Sequence, residues 1–173
     1  MANIILLTEN NSSEIRLMKK SLLGLRNCYP NFENWFDSKI TPNINNKKRK
    51  LFLATQNSEF AGALILKLGL DEKKICTCFV NPKYRLNHLG LDFIRIASEE
   101  LETYKLAISI SDEAKSFFVN NLNFNFYTTK LCKNYYKENM NEYFGYIMFK
   151  NPDKELKKEN KYGLQSLGFM LHL

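Results

Sequence analysis

The chain has 173 residues, 45% of them apolar and 13% aromatic, and carries a formal net charge of +7. That apolar content excludes a disordered polymer, and the length suits one domain with a substantial core. No apolar run approaches the ~18 residues that would cross a bilayer, and the excess of Lys and Arg attracts polyanions.

The N-terminus, MANIILLTENN, has no basic leader and an apolar stretch too short for a signal peptide, which predicts a cytoplasmic protein. Within it, Asn3 to Leu7 reads as a short strand. Asn11 followed by Glu14 predicts a helix start in which Glu14 returns a hydrogen bond to the cap. Ile15, Met18, Leu22 and Leu25 then recur at helical spacing. Pro30 ends that helix, and Phe32, Trp35 and Phe36 predict a second short one. The polar stretch from Asn43 to Lys50, with the basic run Lys47-Lys48-Arg49-Lys50, reads as a loop inside the domain.

Leu51 to Thr55 and Phe60 to Lys67 flank Gln56-Asn57-Ser58-Glu59, a predicted hairpin with a four-residue loop. After a turn at Asp71-Glu72 comes a strand from Lys74 to Val80. It carries Cys76 and Cys78, which simple alternation places on one side. With Cys28 and Cys132 they form no C-x-x-C pair, so small buried hydrophobes or free thiols are expected rather than a metal site. A helix follows with Leu89, Phe93, Ile96 and Leu101 on one face. Then come a strand from Lys105 to Ile110, a helix from Asp112 to Asn121, and closing strands at Phe124 to Leu131 and Tyr143 to Lys150. This order predicts an α+β fold over residues 1–150. Residues 151–173 form a Lys/Glu-rich C-terminal extension of unknown role, whose apolar end, Phe169 to Leu173, would suit a homodimer contact.

The crossing from the strand Lys74 to Val80 into the next helix leaves N-terminal backbone N–H groups pointing forward, a ready site for phosphate. Its residues, Val80-x-Pro82-x-Tyr84-Arg85-x-x-His88-Leu89-Gly90, resemble the pyrophosphate loop of the GNAT acetyltransferase superfamily, V-x-P-x-x-R-x-x-G-x-G/A. Ala114-x-x-Phe117-Phe118 and Leu122-x-Phe124 are similar to its later segment A-x-x-F-Y-x-x-x-G-F. The resemblance implies a mixed, mostly antiparallel sheet flanked by helices. It also implies acetyl-CoA as co-substrate and an amine-bearing acceptor attacking the thioester directly.

By that resemblance the backbone of Cys78, Phe79 and Val80 holds the pantetheine arm and polarises the carbonyl, as an oxyanion hole does. Arg85, Leu86, Asn87, His88, Leu89 and Gly90 form the pyrophosphate loop, and Phe118 lies beside the cofactor. Three positions depart from the pattern. His88 and Asn123 stand where the family has glycines, and Phe118 replaces a tyrosine that often protonates the leaving thiolate, which a phenyl ring cannot do. His88 either swings outward and donates to phosphate or blocks the groove. No general base or acid is identified among Glu59, Asp112, Glu113, Tyr84, Tyr127, Tyr135 and Tyr136. The acceptor region is expected around Pro30 to Ile40 and Cys132 to Glu142. Two further readings stay open: a degenerate, non-catalytic binding module, and a GNAT toxin that acetylates charged tRNA, with nucleic acid as partner.

Overall fold

The computed structural model describes residues 2–27, 29, 31–44, 46–69, 73–85, 87–102, 105–122, 124–126, 132–134 and 137–148, with backbone alone at 27, 113, 126, 132–134 and 137–142. It divides into two compact units, Met1–Gly90 and Leu91–Leu173. The predicted extension lies outside the described residues, as do Cys28, Pro30 and Asn123.

In the first unit, β1 (Asn3–Leu7), β2 (Arg49–Gln56), β3 (Glu59–Leu68) and β4 (Lys73–Val80) pair in sequence order, all antiparallel. One face of this sheet packs on α1 (Ser12–Ser21), α2 (Phe32–Trp35) and a π turn at Phe36–Ile40. Its core is made by Leu7, Met18, Leu22, Phe36, Ile40, Leu51, Leu53 and Ile65. Phe32 joins Trp35 and Phe36 in an aromatic cluster, with ring centroids 5.9 and 5.8 Å apart.

Three local expectations are corrected here. Asn11 caps α1 without a forward side-chain bond; its Oδ1 accepts from the N–H and hydroxyl of Thr8, both at 2.9 Å. Glu14 pairs with the Ser13 hydroxyl at 2.6 Å instead of reaching back. The β2–β3 hairpin has a two-residue turn, since strand pairing continues to Gln56↔Glu59. Asn57 and Ser58 both hold positive φ (52° and 63°), as the tight turn matching strand twist requires. Finally, β4 is bulged: Ile65 pairs with Thr77 but Leu66 with Ile75, leaving Cys76 as the extra residue. Alternation is broken there. Cys76 packs with Phe79 on the helix-covered face, whereas Cys78 lies opposite Leu64, outside that core cluster.

In the second unit, α3 (Leu89–Leu101, which begins at the end of the first unit) leads to β5 (Lys105–Ser111) and α4 (Asp112–Leu122). The buried residues of α3 are Leu89, Phe93, Ile94, Ala97 and Leu101; Ile96 is only half-buried, so the apolar face is rotated from the predicted one. β8 (Lys137–Met148) pairs antiparallel with β5, with β6 (Asn125–Phe126) and with β7 (Cys132–Asn134). The segment from Cys132 to Glu142, expected as a loop, therefore includes β7 and the first half of β8. Its charged, amide-rich sequence hides a strand whose partner is supplied from elsewhere in the chain. Gly145 sits where the chain crosses itself most closely: a Cβ there would lie 2.1 Å from the Asn125 carbonyl and 2.4 Å from the Phe124 ring.

Among the described residues, no helix is long and apolar enough to cross a membrane.

Candidate functional site

The loop that follows β4 is built from the end of the strand outward. Asn81 keeps the strand in register, its N–H donating to the Ala61 carbonyl at 2.9 Å. Its side chain donates to the Phe60 carbonyl at 3.0 Å and accepts from the Lys83 N–H at 3.1 Å. That second bond caps a single 3₁₀ turn, Pro82–Tyr84, which Pro82 favours through its fixed φ.

Tyr84 is buried, and its hydroxyl donates to Glu59 Oε2 at 2.6 Å. Lys83 reaches the same oxygen at 2.5 Å. The loop is thus tied to the start of β3 by two side chains sharing one carboxylate. The bond from Lys83, then that from Tyr84, holds the Glu59 carboxyl below the usual carboxylate range. Glu59 is a loop anchor and a weak base. Tyr84 is equally committed, since its bond to the carboxylate raises its own pKa.

Beyond the anchor the chain turns outward. Arg85, Asn87 and His88 are exposed, and Leu89 is buried as the first residue of α3. His88 holds φ 58°, the left-handed backbone that glycine adopts freely and other residues adopt at a cost of about 1–2 kcal/mol. The resemblance puts a glycine at this position, and the required backbone geometry is kept here without one. The imidazole projects into solvent. Leu86 lies outside the described residues.

The three β4 positions divide by direction. Asn81 donates to Ala61, directly across from it, and antiparallel pairs alternate between bonded and unbonded. Phe79 therefore spends its backbone groups on β3, while Cys78 and Val80 turn theirs away from it. The Phe79 side chain stacks on Phe60, with centroids 6.1 Å apart, and packs on the unit's core. Burial pushes the Cys78 thiol up to about 12, so it is no thiolate at neutral pH.

Phe118, in the second unit, is buried at 4% exposure and makes edge-to-face contacts with Phe117 and Phe124, at 5.1 and 6.4 Å. The Phe124 N–H donates to the Phe118 carbonyl at 3.1 Å. This ring is part of an aromatic core.

Another group in the same unit escaped sequence reasoning. The Tyr143 hydroxyl donates to Asp112 Oδ1 at 2.6 Å, and Lys115 lies over the Tyr143 ring at 4.5 Å. The β5–β8 register puts Tyr143 opposite Ile110, two residues before Asp112, and no linear motif marks that pairing. Of the expected acceptor residues, Phe32 and Phe36 are core. Phe36 also lines a cleft of about 480 Å³, with Glu9, Arg16, Asp37 and Ile44. Tyr127, Tyr135 and Tyr136 lie outside the described residues.

No family model and no curated protein matches the sequence. Solved structures do. A GNAT-family acetyltransferase from Bacillus cereus superposes with TM-score 0.60 at 14% identity, covering 86% of this chain and 97% of its own. The ribosomal-protein-S18-alanine N-acetyltransferase from Escherichia coli gives TM-score 0.59 at 18% identity, covering 86% and 94%. A protein assigned as a streptothricin acetyltransferase from Bacillus anthracis, solved in complex with acetyl coenzyme A, gives 0.52 at 17%, covering 63% and 67%. The chain therefore has the α+β fold of the GNAT acetyltransferases, as its motifs lead one to expect.

Proposed function

We propose that this protein transfers an acetyl group from acetyl-CoA to an amine by direct attack on the thioester. The observation that carries this reading is the loop after β4, in which His88 keeps a left-handed backbone at the glycine position while its side chain is exposed. The structural neighbour bound to acetyl coenzyme A supports the choice of cofactor.

In this mechanism Arg85 meets the pyrophosphate with its guanidinium, whose fork of donors suits phosphate oxygens. Asn87, His88, Leu89 and Gly90 add backbone N–H groups, and the exposed imidazole of His88 adds a side-chain donor. Outward-turned backbone of Cys78 and Val80 orients the pantetheine arm and polarises the thioester carbonyl. The amine attacks that carbon, the tetrahedral intermediate collapses, and coenzyme A leaves as a thiolate. The protonated Cys78 thiol argues for this single displacement over an acyl-cysteine intermediate. Phe118 has no proton to give, so the thiolate takes its proton from water. The Glu59 carboxylate, held below its ordinary range and bound to Lys83 and Tyr84, leaves proton removal from the amine to solvent or to the acceptor's own groups.

Calorimetric titration with acetyl-CoA tests the reading. Wild-type protein is expected to bind, Arg85→Ala to lose about tenfold or more in affinity, and His88→Gly to bind at least as well as wild type. Absence of binding in the wild type at several millimolar overturns the proposal; binding restored only by His88→Gly would mean that the loop is closed and the protein a binding module.

A further inference from the structure

The far end of the same sheet carries an unusual charge arrangement. The pairing of β2, β3 and β4 puts Arg49 opposite Lys67, and Lys67 opposite Lys74. Three cations thus stand in one row across three adjacent strands, where neighbouring side chains are about 5 Å apart. Like charges directly opposite one another destabilise a sheet. Around the row, Lys47, Lys48 and Lys50 precede or begin β2, and Lys73 begins β4. Asp71 and Glu72, in the β3–β4 connection, are the acids that sequence places closest, leaving this end strongly positive.

One atom in the row is conspicuous. Arg49 Nε is buried and has no hydrogen-bond partner in the structure, although Nη1 donates to the Lys48 carbonyl at 3.2 Å. A buried donor without an acceptor is costly unless something supplies one.

Position decides what that something is. Lys74 and Val80 are six residues apart on β4, about 20 Å at strand rise. A pyrophosphate held at Arg85 is therefore at the opposite end of β4 from the basic row. The acyl end would point inward along β4 from there, so the cofactor's own phosphates do not reach the row. What remains is the acceptor. The 480 Å³ cleft opens at this same end, and the Lys47 N–H donates to the carbonyl of its lining residue Ile44 at 3.2 Å.

We infer that the acceptor of this protein is phosphate-rich, and that Arg49, Lys67 and Lys74 bind its phosphates. The inference rests on the acetyltransferase reading for the word acceptor, but the anion site stands on the row itself. The phosphates belong to a free oligophosphate or to an RNA strand, whose recognition chemistry is shared. A polycationic acceptor would be repelled.

The test uses the full chain and two probes, a labelled single-stranded RNA oligonucleotide and inorganic tripolyphosphate, from about 50 to about 200 mM salt. Wild type is expected to bind one or both, with affinity falling steeply as salt rises. Lys67→Gln combined with Lys74→Gln should weaken binding by about tenfold and flatten the log–log salt slope by about 1.4, the loss of two contacts to a single strand. Because a like-charge row is relieved, the double variant should melt no lower than wild type, which rules out misfolding as the cause of lost binding. Its affinity for acetyl-CoA should not change. Binding of RNA alone identifies a strand-borne acceptor, and competition by tripolyphosphate at equal phosphate concentration identifies a small one. Equal anion binding by wild type and variant, no binding of either probe at low salt, or a parallel loss of acetyl-CoA binding would each overturn the proposal. If acetyl-CoA fails to bind wild type while the probes still bind through the row, the enzymatic reading falls and the phosphate site stands.

Discussion

Two residues in left-handed backbone carry a cost that glycine would remove. His88, at φ 58°, is held there by the anchored loop on one side and the start of α3 on the other. His88→Gly is expected to stabilise the protein by about 0.5–1 kcal/mol, the relieved strain being partly offset by the extra freedom of glycine when unfolded. Urea denaturation measures it, and a destabilised variant would mean that the imidazole makes contacts which its exposure does not suggest. Ser58, at φ 63°, occupies the second position of a turn that favours Asn-Gly, so Ser58→Gly should raise the melting temperature. The Glu59 cluster makes a separate prediction. Glu59 has a lowered folded pKa, so its share of stability is present above the unfolded value, ~4.3, and is lost as pH falls through the folded one. Lys83 and Tyr84 have raised folded values, so theirs is present below their unfolded values and is lost as pH rises through the folded ones. Glu59→Gln should remove both dependences, giving a flatter stability profile at the acid and alkaline ends.

Among the elements, β8 is the strand that organises the second unit, pairing with β5, β6 and β7. Gly145 lets the chain at Phe124 and Asn125 lie directly against it. Gly145→Ala puts a methyl where backbone oxygen and an aromatic ring already are, and neither can withdraw without breaking the β6–β8 pairing. A loss of about 3 kcal/mol or more is expected, with chemical denaturation as the readout. The aromatic cluster behind it sets the fate of the position where the family has tyrosine. Phe118→Tyr would bury a hydroxyl among Phe117 and Phe124 and cost about 1–3 kcal/mol. If instead that variant were fully stable and faster in acetyl transfer, the ring would lie closer to the chemistry than its burial suggests.

At the scale of the whole molecule, charge and edges govern behaviour in solution. A sequence pI near 9.2 and the concentration of cations at one end of the first sheet predict salt-sensitive retention on anionic supports. β1 stands at one edge of the strand order, with Leu6 at 46% exposure. A neutral, apolar edge is a template for unwanted strand pairing. Leu6→Lys should leave stability within about 0.5 kcal/mol and reduce concentration-dependent association in light scattering. Acetyl-CoA at a hundredfold over its Kd should add about 2.7 kcal/mol to the unfolding free energy, seen as a raised melting temperature.

Much of the protein was written locally. Periodicity placed the first five strands, α1, α3 and α4, because each follows from which residues recur every two or every three to four positions. The loop from Val80 to Gly90 was legible because its proline, arginine and helix start lie within a dozen residues. What sequence could not supply were the facts that depend on a partner segment. The bulge at Cys76 separates two cysteines that alternation would put together, and only the pairing with Ile65 and Leu66 reveals it. Glu59 becomes an anchor only because Lys83 and Tyr84 arrive from more than twenty residues away. The strand from Lys137 is polar and owes its existence to β5. The row of Arg49, Lys67 and Lys74 is scattered along the chain and becomes one feature only through strand register. Sequence by itself determined the elements and the phosphate-binding loop, since those are set by local propensity and hydrophobic period. Tertiary structure decided which side chains share a face, a carboxylate or a charge row, since hydrogen-bond register brings distant residues to within a few ångströms of each other.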